Sequence, residues 1–63
     1  MIPDLKGYEI VETLFYKNSV KFILARKYSP NIEVEWTLAK FGGVPQLLMT
    51  IDKIIVWRSG TLP

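Results

Sequence analysis

The sequence predicts an all-β fold, a small antiparallel meander, from three observations. The segment Ile32–Phe41 alternates apolar and mostly polar side chains with a period of two, which is typical of a strand with one buried face. The segments Tyr8–Tyr16 and Val20–Tyr28 are rich in aromatic and β-branched residues, which favour strands. Runs of Asn, Ser and Pro at Lys17–Ser19 and Ser29–Asn31 separate the three segments, as turns do.

Two three-residue loops at those turns would fix the register. Tyr16 would then lie opposite Val20, and Leu24 opposite Trp36, so that most apolar side chains share one face. Two charged residues, Glu12 and Arg26, would share that face. The other face would carry a charge ladder and six apolar side chains. The ladder is Glu9, Lys27 and Glu33, and the apolar residues are Val11, Phe15, Ile23, Ala25, Ala39 and Phe41.

Residues 46–58 allow two interpretations, and Gly42–Pro45 is expected to break the chain before them. As strands, Leu47–Ile51 and Ile54–Trp57 would flank a turn and close an SH3-like or partly open barrel. As a helix, the segment would cap a three-stranded sheet and give an α+β fold. We favour strands, because Ile, Val, Thr and Trp dominate the segment.

The 63 residues predict one domain, 1–63, with an irregular lead-in at 1–7 and a frayed tail at 61–63. The chain has no Cys and no His, which excludes disulfides and the usual zinc, haem and iron–sulfur sites. The six acidic residues are too dispersed for a calcium or magnesium site. We therefore expect neither a metal nor a cofactor.

No catalytic pattern is visible, so we expect a protein that is not an enzyme. The hydroxyl side chains have no His to activate them. Glu33 and Glu35 point to the polar face of their strand, away from any cleft. Gly42 and Gly43 lack the Lys and the Ser or Thr of a phosphate-binding loop.

The expected compartment is the cytoplasm. No apolar run reaches the length of a membrane-spanning helix. The first seven residues do not have the basic and apolar regions of a signal peptide.

The composition predicts association with protein. Apolar residues make up 49% of the chain, more than so small a domain can bury alone. We therefore expect a homo-oligomer or an accessory subunit, with the interface on the second sheet face. The candidate interface residues are Val11, Phe15, Ile23 and Phe41.

The alternative function is nucleic-acid binding through a basic and aromatic sheet surface. Small barrels can bind phosphates with Lys and Arg while an aromatic side chain contacts a base. The formal net charge of +2 is only weakly basic. The candidate contacts are Lys21, Lys27, Lys40, Trp57 and Arg58.

Overall fold

The computed structural model describes residues 5–60, and they form one five-stranded antiparallel sheet. The strands are β1 (Glu9–Phe15), β2 (Ser19–Ala25), β3 (Ile32–Phe41), β4 (Val44–Ile51) and β5 (Ile54–Arg58). Each strand pairs with the next along the chain, in the order β1-β2-β3-β4-β5. The prediction of an all-β meander with two strands in residues 46–58 is confirmed. The sheet is open rather than a closed barrel, because β1 and β5 are its two edge strands, and residues 5–60 contain no helix.

The break predicted at Gly42–Pro45 is shorter than expected. Only Gly42 and Gly43 form the turn, and Val44 and Pro45 already belong to β4. Pro45 is tolerated there because β5 reaches only as far as Arg58, opposite Leu48. At Pro45, β4 therefore has only β3 beside it and needs no donor on its other side.

Both C-terminal hairpins turn on two residues with positive φ, the backbone pattern of a type I′ turn. In the first, Gly42 and Gly43 have φ of 56° and 81°. In the second, Asp52 and Lys53 have φ of 48° and 70°, which costs energy in residues other than Gly. The Asp52 N–H donates to the Glu33 carbonyl at 2.9 Å, and the Glu33 N–H donates to Asp52 Oδ1 at 3.0 Å. These bonds tie the strained turn to the start of β3.

The β1–β2 register differs by one residue from the prediction. The turn is two residues long, closed by the Tyr16 N–H donating to the Ser19 carbonyl at 2.8 Å. Phe15 therefore lies opposite Val20, and the predicted pairing of Tyr16 with Val20 was wrong. A bulge between Ile10 and Glu12 then restores the register at the other end of β1.

The β2–β3 register was wrong by four residues. Leu24 lies opposite Ile32, and Trp36 lies opposite Val20. The connecting loop is longer than three residues because Pro30 restricts the residue before it to extended conformations. A shift by an even number of residues leaves every side chain on its predicted face. The predicted apolar face of β2 and β3 was therefore correct although the register was not.

The predicted arrangement of charges was also wrong. Lys27 lies in the loop after β2, and Glu33 instead pairs with Lys21 at 3.8 Å. Glu12 lies opposite Ile23, away from the apolar face. Arg26, in contrast, lies 4.4 Å from the centroid of the ring of Tyr8, which packs against the core cluster, so its predicted place on the apolar side is not contradicted. The long second loop and the β1 bulge account for these differences.

One face of the sheet, which we call the core face, carries the main apolar cluster. Leu24, Val34 and Met49 are buried at its centre. Partly buried residues surround them: Leu5, Tyr8, Phe22, Ile32, Trp36, Ile51 and Val56. Leu5 and Tyr8 reach this face through a turn closed by the Tyr8 N–H donating to the Leu5 carbonyl at 3.2 Å. Of the predicted lead-in at 1–7, residues 5–7 lie outside any strand, while residues 1–4 and the predicted tail at 61–63 lie outside the described residues.

The opposite surface, the outer face, has a small buried site of its own. Leu48 is buried there between Thr37 and Arg58 on the neighbouring strands. Gln46 is only 5% exposed, and Gly60 lies directly against its side chain. Within residues 5–60, Gln46 Oε1 is buried with no hydrogen-bond partner. A buried acceptor without a donor costs stability.

We expect Lys53→Gly to raise the free energy of unfolding by about 0.5–1 kcal/mol, since Gly adopts positive φ without steric cost. The matched control is Lys17→Gly, in the β1–β2 turn, where φ is not positive. That change should be neutral or slightly destabilising, because Gly adds entropy to the unfolded chain. Urea titration measures both. Equal effects of the two substitutions would contradict the turn assignment.

We expect Gln46→Met to stabilise the protein by about 1 kcal/mol, because Met fills the same space without an unpaired oxygen. Gln46→Glu is the counterpart of similar shape and should destabilise it, since it places a charge at the same buried position. Thermal unfolding followed by circular dichroism ranks the three proteins. Loss of stability in Gln46→Met would show that the amide is satisfied in solution.

Candidate protein-interaction surface

No second layer covers the core face in residues 5–60, because all five strands lie in one sheet and only Leu5 and Tyr8 pack against the face from outside the strands. The protein measures 41 × 26 × 14 Å along its principal axes. All five strands belong to one hydrogen-bonded sheet, so no second sheet of residues 5–60 packs on it at the usual spacing of about 10 Å. None of the described side chains has less than 2% of its surface exposed. The apolar cluster is therefore open to solvent on one side.

A shallow hollow of about 320 Å³ lies in the middle of the core face. Its floor is formed by the buried residues Leu24, Val34 and Met49. The remaining lining residues are Leu5, Tyr8, Ile10, Phe22 and Trp36. Every lining side chain is apolar or aromatic, so the hollow suits an apolar surface better than a polar ligand.

Two tryptophans bury the end of this floor that lies nearest β5. Met49 on β4 lies between Trp36 on β3 and Trp57 on β5 in the strand register. The two rings meet edge to face, with centroids 5.7 Å apart and planes at 64°. This geometry is a favoured one for aromatic pairs. It leaves Trp57 partly exposed at the rim of the hollow.

Further apolar side chains extend the core face beyond the hollow. Cross-strand partners in an antiparallel sheet point to the same side, which assigns each exposed residue to a face. Phe15 lies opposite Val20, Leu38 opposite Leu47 and Ile54 opposite Ile51, so all three belong to the core face. Their exposed fractions are 82%, 60% and 69%. These are large values for apolar side chains next to a hydrophobic cluster.

The core face carries almost no charge along its strands. Lys40, at the far end of β3, is the one charged residue among the core-face strand positions, which follow from the register. They are Ile10, Thr13, Phe15, Val20, Phe22, Leu24, Ile32, Val34, Trp36, Leu38, Lys40, Pro45, Leu47, Met49, Ile51, Ile54 and Trp57.

The outer face is polar at its centre. Lys21 pairs with Glu33 at 3.8 Å and lies 5.6 Å from the centroid of the Tyr16 ring. The Ser19 hydroxyl donates to Glu35 Oε2 at 2.9 Å. These interactions engage Lys21, Glu33 and Glu35, and charged side chains of this kind can remain in water without a partner.

The structure does not bring the four predicted interface residues together. Val11 is the extra residue of the β1 bulge, and the one-residue register change moves Phe15 to the core face. Ile23 and Phe41 lie on the outer face. Ile23 is opposite Glu33, eight residues from Phe41 along the chain, which is about 26 Å in a strand.

The predicted nucleic-acid contacts are also dispersed. Lys21 and Arg58 lie on the outer face, and Lys40 and Trp57 lie on the core face. Lys27 lies in the loop after β2. Lys21 is already paired with an acidic residue. A basic stripe, which phosphate binding requires, is not formed by these five residues.

Both edge strands are interrupted by bulges. β1 carries one between Ile10 and Glu12, and the β4–β5 ladder shifts register between Met49 and Thr50. Bulges and charged side chains are the usual means by which proteins prevent edge-to-edge pairing. β1 also carries Glu9 and Glu12, and β5 ends at Arg58. The edges are therefore poorer contact surfaces than the core face.

Residues 5–60 show neither a metal-binding cluster nor a membrane-spanning helix. No three acidic side chains in this range lie close enough to hold a metal ion. The same range contains no helix that could cross a membrane.

Comparison with known proteins gives no further guide. No protein-family model, curated protein or solved structure matches this chain. The class of protein is therefore defined by the fold and the surface alone: a small β protein with one open sheet and an uncovered apolar face.

Proposed function

We propose that this protein is a non-enzymatic association domain that buries its core face against another protein surface. The observation that carries the proposal is a single sheet whose apolar cluster has no second layer over it within residues 5–60 beyond the contacts of Leu5 and Tyr8. Stable domains bury the apolar face of a sheet against a second layer. Here the second layer must come from elsewhere, and a protein surface is the usual source.

The large accessible surface area of the chain supports this proposal. The chain exposes 4997 Å² of accessible surface. A folded monomer of 7.3 kDa exposes about 4,200 Å². The difference, about 800 Å², is a whole-chain value to which the exposed core-face side chains contribute, and it is similar in size to the area that one partner buries in a protein–protein interface of standard size. Covering the apolar part of this area removes it from water, which favours association.

The chemistry of the face also favours protein over other partners. It offers aromatic and aliphatic side chains, which are enriched at the centres of protein interfaces. Its near lack of charge does not suit phosphate. The proposed compartment is the cytoplasm, whose reducing conditions do not threaten a chain without disulfides.

A photoreactive amino acid at position 38, introduced in cells that make this protein, tests the proposal. Leu38 is on the core face, so we expect one major protein adduct, identified by mass spectrometry. The matched control is the same amino acid at position 41, because Phe41 is also exposed and lies on the outer face of the same strand. It should yield little or no adduct. A chain that is folded in the cell but gives no protein adduct at position 38 would refute the proposal.

A further inference from the structure

We infer that the partner is a second copy of this chain, packed core face to core face as a symmetric two-layer β-sandwich. The inference rests on the proposed function and names the occupant of the surface. Four observations support a second copy. They are the excess exposed surface area, the near absence of charge at the core-face strand positions, the bulges in both edge strands and the exposed apolar side chains of the core face.

The excess of exposed surface area is consistent with a dimer of identical sheets. The excess of about 800 Å² per chain is what each partner contributes to a standard interface. A second copy supplies a sheet of the same length and width, so one protomer covers the other completely and equally. The resulting thickness of two sheets about 10 Å apart is that of an ordinary β-sandwich.

The absence of charge makes the face compatible with itself. In a two-fold symmetric contact the same patch meets itself, so any unpaired charge near the axis would face a like charge. The core-face strand positions carry one charged residue, Lys40, at the far end of β3 and away from the hollow. The strand positions that line the hollow therefore meet without repulsion. Lys40 and Arg26, which stacks on Tyr8, do not line it.

The bulges in both edge strands restrict how two copies can associate. Pairing through β1 or β5 would extend the sheet but leave the core face open, and bulges interrupt both strands. Face-to-face stacking covers the apolar cluster and leaves the edges in solvent. It also keeps the ion pair of Lys21 with Glu33 on the outside of the sandwich.

Exposed side chains of the core face outside the hollow would supply the contacts. Phe15, Leu38 and Ile54 lie on this face and are 82%, 60% and 69% exposed. Because these side chains project from the face, those of one copy can pack against the face of the other. Aligned sheet packing, at about 30° between strand directions, permits such interdigitation.

Two adjacent isoleucines on β5 provide a matched test. Ile54 lies opposite Ile51 on the core face, and Ile55 lies opposite Thr50 on the outer face. They are 69% and 52% exposed in the single chain. Sedimentation equilibrium of the purified protein from about 1 to 200 µM should show a dimer. We expect Ile54→Lys to weaken dimerisation by about 100-fold, and Ile55→Lys to leave it unchanged.

A second measurement does not depend on whether Ile54→Lys folds. Isotope-labelled and unlabelled copies carrying the photoreactive residue at position 38 are mixed, irradiated and analysed by mass spectrometry. Adducts between labelled and unlabelled chains support the face-to-face dimer. Mixed adducts obtained from position 41 instead would overturn it.

The outcomes separate this inference from the proposed function. A wild-type chain that is folded and monomeric at about 200 µM overturns the second copy as partner. Equal behaviour of the two lysine variants in a dimer also overturns it. In either case a cellular adduct at position 38 to a different protein leaves the association function standing. If no protein adduct forms at position 38 either, both fail together.

Discussion

The structure depends on one constraint: a single sheet has to place all of its main apolar cluster on one side. Leu24, Val34 and Met49 are buried only because neighbours on the adjacent strands flank them. For Met49 these neighbours are the two tryptophans. This lateral shielding removes the central side chains from water but leaves the flanking ones half exposed. A sheet alone cannot shield its flanking residues, so the cluster requires a cover.

The same constraint explains how the rest of the surface is built. The polar groups that would be costly under a cover lie on the outer face, where they pair with one another. The strand edges, which offer unpaired backbone groups, are interrupted by bulges. Association is thereby directed to one surface. The type I′ turns and the bond between Asp52 and Glu33 hold the C-terminal hairpin in the plane of the sheet.

The sequence predicted the strands and the faces better than it predicted contacts. The alternation of apolar and polar side chains in Ile32–Phe41 located β3 and its apolar face, since this pattern depends only on which side chains are apolar. The registers depend on turn geometry, which the pattern does not encode. An error of four residues left Trp36 on the right face, whereas an error of one residue moved Phe15 to the other. For this reason Phe15 and Phe41, two of the predicted interface residues, lie on opposite faces of the sheet. Leu38 and Ile54 were missed because they were assumed to be covered.

The central claim, that the fold is stabilised by covering the core face with a second copy, can be tested by thermal unfolding at several protein concentrations. If folding and dimerisation are coupled, the midpoint temperature must rise with concentration, because mass action favours the dimer. We predict an increase of several degrees between about 2 and 200 µM, with a single transition throughout. A midpoint that stays constant over this range, in a protein whose tryptophans are shielded from solvent, would contradict the account.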